Sequence, residues 1–370
     1  MAKILLLSPK DNNFYNFRSE LILKLKGLGN DVVLVCPYGK KIEFFKEKGC
    51  RFIDLDLQRR GTSITADLKL TYQYYKIIKH EKPDIVLTYT TKSSTYGGIA
   101  CRIAGVPYIV NNAGMYREED FGKFIWFVLK TLYKLSYAHA DCLMYQNRYE
   151  RDTLNKIIKN KARYKDIPGS GVNLSDFTFK EYPKNEETIV INYVARIVKI
   201  KGIDELLECA HIIHEKYKNV KFVLYGDYDD DIYREKVKNA EEAGEVLYGG
   251  VQMNMKPYIK VCHAVIHPSY YEGMTNVVLE HSASGRPCLG SNIPGVADGI
   301  DEGKTGFLFN VQDVPSMVEA VEKFLALSHE EKVAMGKAAR KKMEREFDRN
   351  IVTNAYLEEI DRILKNKCAK

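Results

Sequence analysis

The sequence predicts an α/β protein made of two doubly wound parallel-sheet domains in tandem. Short apolar runs alternate with amphipathic helical patterns from the first residue onward. The runs lack the polar alternation of a half-exposed strand, and the series halts near residue 170 and begins again near 189. Unbroken apolar runs belong to strands covered on both faces, as parallel strands are. A chain of 370 residues also exceeds what a single core commonly fills.

In the first half the strand runs are residues 3–7, 31–36, 51–55, 84–88, 108–111 and 142–145, with helical patterns between them, among others at 17–28, 66–80 and 94–104. The second series has strand runs at 189–194, 220–225, 246–248, 264–267 and 288–289, and the chain closes on helical patterns at 330–346 and 351–366. Pro168, Gly169 and Gly171 cluster where the first series stops and mark a junction there. Tyr182-Pro183-Lys184-Asn185 is a rival boundary. The division expected is 1–168, 169–347 and a final segment 348–370.

An apolar content of 45% with scattered charge is that of a globular chain. The charge is uneven: residues 1–175 hold 29 Lys+Arg against 17 Asp+Glu, and the remainder 27 against 32. A basic half suits nucleic acid, an anionic membrane or an anionic lipid-linked substrate. No nucleic-acid-binding motif accompanies it, which leaves the membrane and the lipid. The eight cysteines form no Cys-x-x-Cys pair and sit mainly in apolar runs, as reduced thiols of a cytosolic protein do. No apolar stretch is long enough to span a bilayer, so a soluble or peripheral protein is expected.

Chemistry concentrates at Tyr270-Tyr271-Glu272-Gly273-Met274-Thr275-Asn276, which joins the strand run 264–267 to a helical pattern at 275–284. A strand feeding a tight loop and a helix presents unpaired backbone N–H groups to a phosphate, here from Gly273, Met274, Thr275 and Asn276. Glu272 lies in the loop and Glu280 about a turn and a half into the helix. Carboxylates beside an anion site suit hydroxyls, as in a nucleotide-sugar, and a ribose diol would satisfy Glu280 in its apolar helix. Arg196 and Lys201 also lie between a strand and a helix, at the edge where doubly wound sheets bind ligands. Their charge would stabilise a departing diphosphate.

Other features read more plainly. Asp227 to Asp231 looks like a metal-binding acidic run, but it opens a helix, where acids suit the N-terminus, so no metal is assigned. His211, His214, His263 and His267 read as core or surface histidines. Ser8 to Asn13 contains no glycine and so departs from a dinucleotide-binding loop, and Asn13, Tyr15 and Arg18 are assigned to an acceptor instead. Residues 121–137 carry the only tryptophan and place Lys123, Lys130 and Lys134 on one helical face. That face reads either as an interfacial helix on anionic lipid or as a helix packed on the sheet with a solvated lysine stripe.

Glu272 and Glu280 together resemble the E-x7-E signature of retaining GT-B glycosyltransferases of the fourth family. Arg196 with Lys201-Gly202, Gly285-Arg286-Pro287, Pro294-Gly295 and Gly303-Lys304-Thr305-Gly306 follow that family's order. Tyr89-Thr90-Thr91-Lys92, Tyr96 to Ala100 and Gly105-Val106-Pro107 resemble members that build bacterial capsular and other surface polysaccharides. The resemblance implies two Rossmann-like domains facing across a cleft, with the last helix crossing back to the first. It implies metal-independent, retaining transfer from a UDP-sugar to a polyprenyl-diphosphate-linked saccharide, on the cytoplasmic face of the membrane. Arg196, Lys201 and Glu272 would carry catalysis, Glu272 touching hydroxyls of the transferred sugar. Gly250 and Val251 join the donor set, and Lys92, Asn112 and Gly114 the acceptor set. Many members carry His-Gly where this chain has Asn112-Ala113-Gly114, so that histidine's role does not transfer. A nucleotide-sugar epimerase of the same fold and a non-catalytic nucleotide-binding partner are the alternatives.

Overall fold

The structure, a computed structural model, describes residues 1–55, 64–112, 118–159, 161–184 and 187–368. The chain divides into two compact units, Met1–Ser170 with Arg349–Lys370, and Gly171–Asp348.

The first unit is a seven-stranded, all-parallel sheet in the order β3-β2-β1-β4-β5-β6-β7. Its strands are β1 (Lys3–Leu7), β2 (Asp31–Cys36), β3 (Arg51–Asp54), β4 (Ile85–Tyr89), β5 (Tyr108–Asn112), β6 (Cys142–Tyr145) and β7 (Tyr164–Asp166). α1 (Asp11–Gly27), α2 (Ile42–Glu47) and α13 (Arg349–Cys368) cover one face around Ile4, Leu6, Leu34, Leu87 and Tyr356. α3 (Ile64–Glu81), α4 (Thr91–Ala104), α5 (Glu118–Ser136) and α6 (Arg148–Ile158) cover the other around Leu5, Leu7, Val86, Tyr108 and Leu143. Successive side chains of a strand point to opposite faces, so fully apolar strands feed both cores.

The second unit is a six-stranded parallel sheet in the order β10-β9-β8-β11-β12-β13. It consists of β8 (Ile189–Val194), β9 (Val220–Tyr225), β10 (Val246–Gly250), β11 (Ala264–His267), β12 (Cys288–Ser291) and β13 (Gly306–Phe309). α7 (Ile203–Lys216), α8 (Ile232–Glu242) and α11 (Val314–Ala326) pack on one face. α9 (Lys256–Val261) precedes β11, α10 (Asn276–Ala283) packs on β11 and β12, and α12 (His329–Lys342) packs on α10. Strand order reverses between β8 and β11, which are directly paired, and the C-terminal edge at such a reversal is where doubly wound sheets bind ligands.

One expectation is corrected, and one open reading is resolved in part. Asp11, Asn12 and Asn13 are not loop but the first turn of α1, where Asp11 accepts from the backbone N–H groups of Asn12 and Lys41. For α5, where two readings stood open, Trp126 follows the packed one: it is buried in the core with Tyr133 and Tyr137. The opposite side of α5 exposes Phe124, Phe127, Val128 and Leu135, with Lys123 and Lys134 also exposed and Lys130 folded over the Trp126 ring. The helix therefore packs on the unit with one stripe and bares an apolar, basic one. The seven cysteines whose side chains are described are buried and free.

Candidate active site

Two loops build the site, one from each strand beside the reversal point. After β8 the chain turns through Ala195 and Arg196 into a 3-10 turn, Lys199–Lys201. The buried Tyr193 hydroxyl lies 3.3 Å from the carbonyls of both Arg196 and Lys201 and so ties the two ends of the loop together. Gly202 then adopts φ 70°, and a Cβ there would fall 2.2 Å from the Pro268 carbonyl. Glycine is required twice over, by its conformation and by the approach of the second loop. That loop leaves β11 at His267, and its Tyr270 N–H donates to Ile200 O at 3.0 Å.

The two loops meet in a charged cluster. Lys201 Nζ donates to Glu272 Oε1 at 2.5 Å, Ser269 Oγ donates to the same oxygen at 2.9 Å, and His267 Nε2 lies 3.0 Å from it. Burial alone would raise the Glu272 carboxyl. The hydrogen bond and charge of His267, with the charge of Lys201, reverse this and hold it at about 2. Glu272 is therefore a carboxylate at any working pH. Arg196 is half exposed and donates to Asp229 Oδ2 at 2.6 Å, on the loop after β9. Each cation of the predicted pair is thus met by an acid.

Past Glu272, the N-terminus of α10 opens beside the same loop. Thr275 is its N-cap, but its own N–H is already given to Gly295 O at 3.1 Å. The Met274 side chain is buried among Val172, Leu279, Ala283, Met343 and Phe347, so only its backbone remains for a ligand. Asn276 and Glu280 are half-buried on α10. Gly250 ends β10 with φ 68° and is followed by the exposed Val251, at the same edge of the sheet. Of the candidate residues, Lys201 and Glu272 meet directly beside the α10 N-terminus, whereas Arg196 turns to Asp229 and Gly250 and Val251 lie two strands away from β8.

The acceptor candidates lie in the first unit and are less concentrated. Asn13 is half-buried on the first turn of α1. The Tyr15 ring turns toward α2, against Phe44 and Phe45, with Lys41 Nζ 4.3 Å from its centroid. Arg18 is 4% exposed, its guanidinium 5.1 Å from the Tyr89 ring and 5.6 Å from that of Tyr356. Lys92 sits on the first turn of α4, 3.0 Å from Asp67. Gly114 and the side chain of Asn112 lie outside the described residues.

Sequence reasoning passed over two members of the site. His267 read as a core or surface histidine, and it is in the core at 2% exposed, yet its ring is also bonded to Glu272. The available signal was its place as the last residue of a strand, five positions before that glutamate. Asp229 read as one of several helix-leading acids, whereas it holds Arg196.

The comparisons follow this geometry. Residues 175–342 match the family described as Glycosyl transferases group 1, and residues 3–147 match Glycosyl transferase 4-like. The chain is 25% identical over 378 residues to the N,N'-diacetylbacillosaminyl-diphospho-undecaprenol alpha-1,3-N-acetylgalactosaminyltransferase of Campylobacter jejuni, covering 97% of this chain and 98% of that one. It is 25% identical over 309 residues to an Escherichia coli UDP-Gal:alpha-D-GlcNAc-diphosphoundecaprenol alpha-1,3-galactosyltransferase, covering 79% of each. The crystal structure of Anabaena HepE in complex with UDP shares the fold, with a TM-score of 0.79 at 15% identity over 98% of this chain and 100% of that one. With family matches over both halves and a fold shared with solved glycosyltransferases, the chain is a glycosyltransferase of the GT-B fold, belonging to the group 1 glycosyl transferases through its second half and 4-like through its first.

Proposed function

We propose that this glycosyltransferase moves a sugar, a hexose or N-acetylhexosamine, from a UDP-sugar to a polyprenyl-diphosphate-linked saccharide, with retention of anomeric configuration. The pathway is assembly of a bacterial surface polysaccharide. The observation that carries the reading is the Lys201–Glu272 contact at the strand-order reversal of the second sheet, with Arg196 on the same loop as Lys201. A diphosphate entering there exchanges Glu272 and Asp229 for itself as the partner of Lys201 and Arg196, and rests on the N-terminus of α10. Glu272, released from Lys201, accepts from hydroxyls of the transferred sugar. The acceptor hydroxyl then forms a bond to the anomeric carbon on the face that the phosphate leaves. The carbon–oxygen bond to the β-phosphate breaks, and the hydroxyl proton passes to the departing phosphate oxygen, giving UDP. Two fixed cations and a helix terminus meet the growing charge, which leaves no task for a metal ion. The acceptor class is supported by the printed activities of the Campylobacter and Escherichia relatives, both of which name diphospho-undecaprenol substrates.

We further propose that the enzyme works on the inner face of the cytoplasmic membrane, a reading supported by the lipid-linked substrates in the names of the Campylobacter and Escherichia relatives. No described helix is long and apolar enough to cross it. The exposed stripe of α5, with Phe124, Phe127, Lys123 and Lys134, supports a peripheral contact with anionic lipid.

The test is turnover of a panel of UDP-sugars with an undecaprenyl-diphosphate-linked acceptor in excess chelator. The wild type is expected to be active and to give an α-linked product from an α-linked donor. Glu272→Ala and Lys201→Ala should each lose at least a hundredfold in kcat/KM while remaining folded. Near-normal turnover by both variants, or dependence on added magnesium or manganese, would sink this site assignment.

A further inference from the structure

Glu272 Oε1 is engaged by three groups, Lys201 Nζ, Ser269 Oγ and His267 Nε2, while no described residue hydrogen-bonds Oε2. The three behave differently when a donor arrives. Lys201 is the group for which a diphosphate competes with Glu272. The Ser269 hydroxyl is neutral, rotates about its own bond, and lies 3.2 Å from His267 Nε2 as well. His267 alone is immobile. It ends β11, is 2% exposed and is followed at once by Pro268. Its Nε2 faces a carboxylate oxygen, which only accepts, so Nε2 carries a proton whatever the state of Nδ1. Nδ1 is buried with no hydrogen-bond partner among the described residues, so a ring flip would exchange a bonded nitrogen for an unbonded one.

The surroundings keep this arrangement one-sided. Glu272 is faced by Lys201 from the turn after β8 and by His267 from β11, and the Tyr193 hydroxyl of β8 feels its charge. Behind His267, His281 of α10 donates from Nδ1 to Val277 O at 2.8 Å, and the buried Arg286 stands beyond it. Burial chiefly, with Arg286 and His267 adding to it, keeps the His281 imidazole down at about 3, hence neutral. No acid competes with Glu272 for the His267 proton among these groups.

We propose that His267 is a positioning residue for transfer: its Nε2–H holds Glu272 in the orientation that presents Oε2 to a hydroxyl of the transferred sugar after the diphosphate has drawn Lys201 away. The inference rests on the reading of Glu272 as the carboxylate that contacts the sugar. It separates two roles that the loop otherwise confounds. The cations serve the phosphates, and the histidine serves the sugar through Glu272.

A pair of amide variants of the full-length protein tests this. In His267→Gln the side-chain N–H group stands about where imidazole Nε2 stands, and in His267→Asn it falls short, at the Nδ1 position. Both are polar and of similar bulk. The expected result is that Gln keeps kcat within a fewfold of wild type. Asn should lose about 10- to 100-fold, the worth of one hydrogen bond to a charged group. UDP affinity, measured by calorimetry, should be unchanged in both. The acid limb of the Asn variant's kcat profile should also move upward, because burial is then less opposed in raising the Glu272 carboxyl. Equal kcat and equal pH profiles for Gln and Asn, or loss of UDP binding in parallel with kcat, would overturn the positioning role. Glu272→Ala, run alongside, separates the two failures. If it is inactive while Gln and Asn behave alike, His267 is merely structural and the Glu272 reading stands. If Glu272→Ala turns over normally, the Glu272 reading has failed and this one falls with it.

Discussion

Arg196 and Asp229 form, at the scale of single residues, the ion pair that bears most directly on the proposed donor site. Their pair at 2.6 Å is partly exposed, and such pairs contribute on the order of 0.2–1 kcal/mol. On the proposed donor site, a diphosphate must displace Asp229 before it takes the full charge of Arg196. Asp229→Asn removes the competitor without removing the cation, so it should tighten UDP binding about two- to fivefold by calorimetry, most clearly at low salt. Weaker binding would mean that Asp229 serves the donor rather than standing in for it. The two acids of the site were legible to different degrees. Glu272 stood out because a strand, a tight loop and a helix frame it. Asp229 did not, because which of four neighbouring acids meets Arg196 is decided by how the turn after Gly226 packs, where Ile197 N–H donates to Asp227 O and Ile197 O accepts from Asp229 N–H. The bond from His267 to Glu272 was hidden for a related reason. A histidine on a buried strand normally satisfies itself within the core, and only the return of the chain through Pro268 to Gly273 brings a carboxylate to it.

Elements with strong apolar runs were the most legible. β1, β2, β6, β8, β9 and β11 begin and end where the runs do. β7 (Tyr164–Asp166) was not foreseen, because an edge strand reading Tyr-Lys-Asp has one face to bury and no apolar run to show. β13 (Gly306–Phe309), also an edge strand, opens on a glycine and was hidden in a turn-like stretch. For α5 the sequence left two readings open, and the structure divides them between two stripes of one helix. Trp126 and Tyr133 pack inward, while Phe124 and Phe127 remain 79% and 65% exposed. Burying a phenylalanine in an apolar phase is worth about 1.5–3 kcal/mol, and each lysine near an anionic surface about 1. Phe124→Ser with Phe127→Ser should therefore weaken binding to vesicles containing anionic lipid at least about tenfold in a sedimentation assay. UDP binding should be untouched, since the residues proposed for it belong to the other unit. Undiminished vesicle binding by this folded variant would exclude α5 as the contact.

Across the whole molecule the two units differ in charge and in how the chain composes them. The first holds 34 Lys+Arg against 20 Asp+Glu, a net of +14, and the second 22 against 29, a net of −7. A basic unit is suited to an anionic lipid-linked substrate. The second unit is one continuous stretch, whereas the first is assembled from both ends of the chain. α13 supplies Val352, Ala355, Tyr356, Ile360 and Ile363 to the first core, where the Tyr356 hydroxyl accepts from Asn111 at 2.7 Å and the nearly buried Glu359 accepts from Arg163 at 2.9 Å. A chain stopped after Asp348 should thus lose the first unit's protection from protease and keep UDP binding in the second. An intact, protease-resistant first unit in that truncated chain would refute its dependence on α13. The same feature has a consequence for synthesis. Domains normally fold in the order in which they leave the ribosome, at about 5–20 residues per second. Here the first unit waits, its α1 face uncovered, for the 200 residues after Ser170, roughly 10–40 seconds at those rates. The second unit, begun later, is complete first, and the nascent protein carries an open apolar groove that only its own last helix, or a chaperone holding the place, will close.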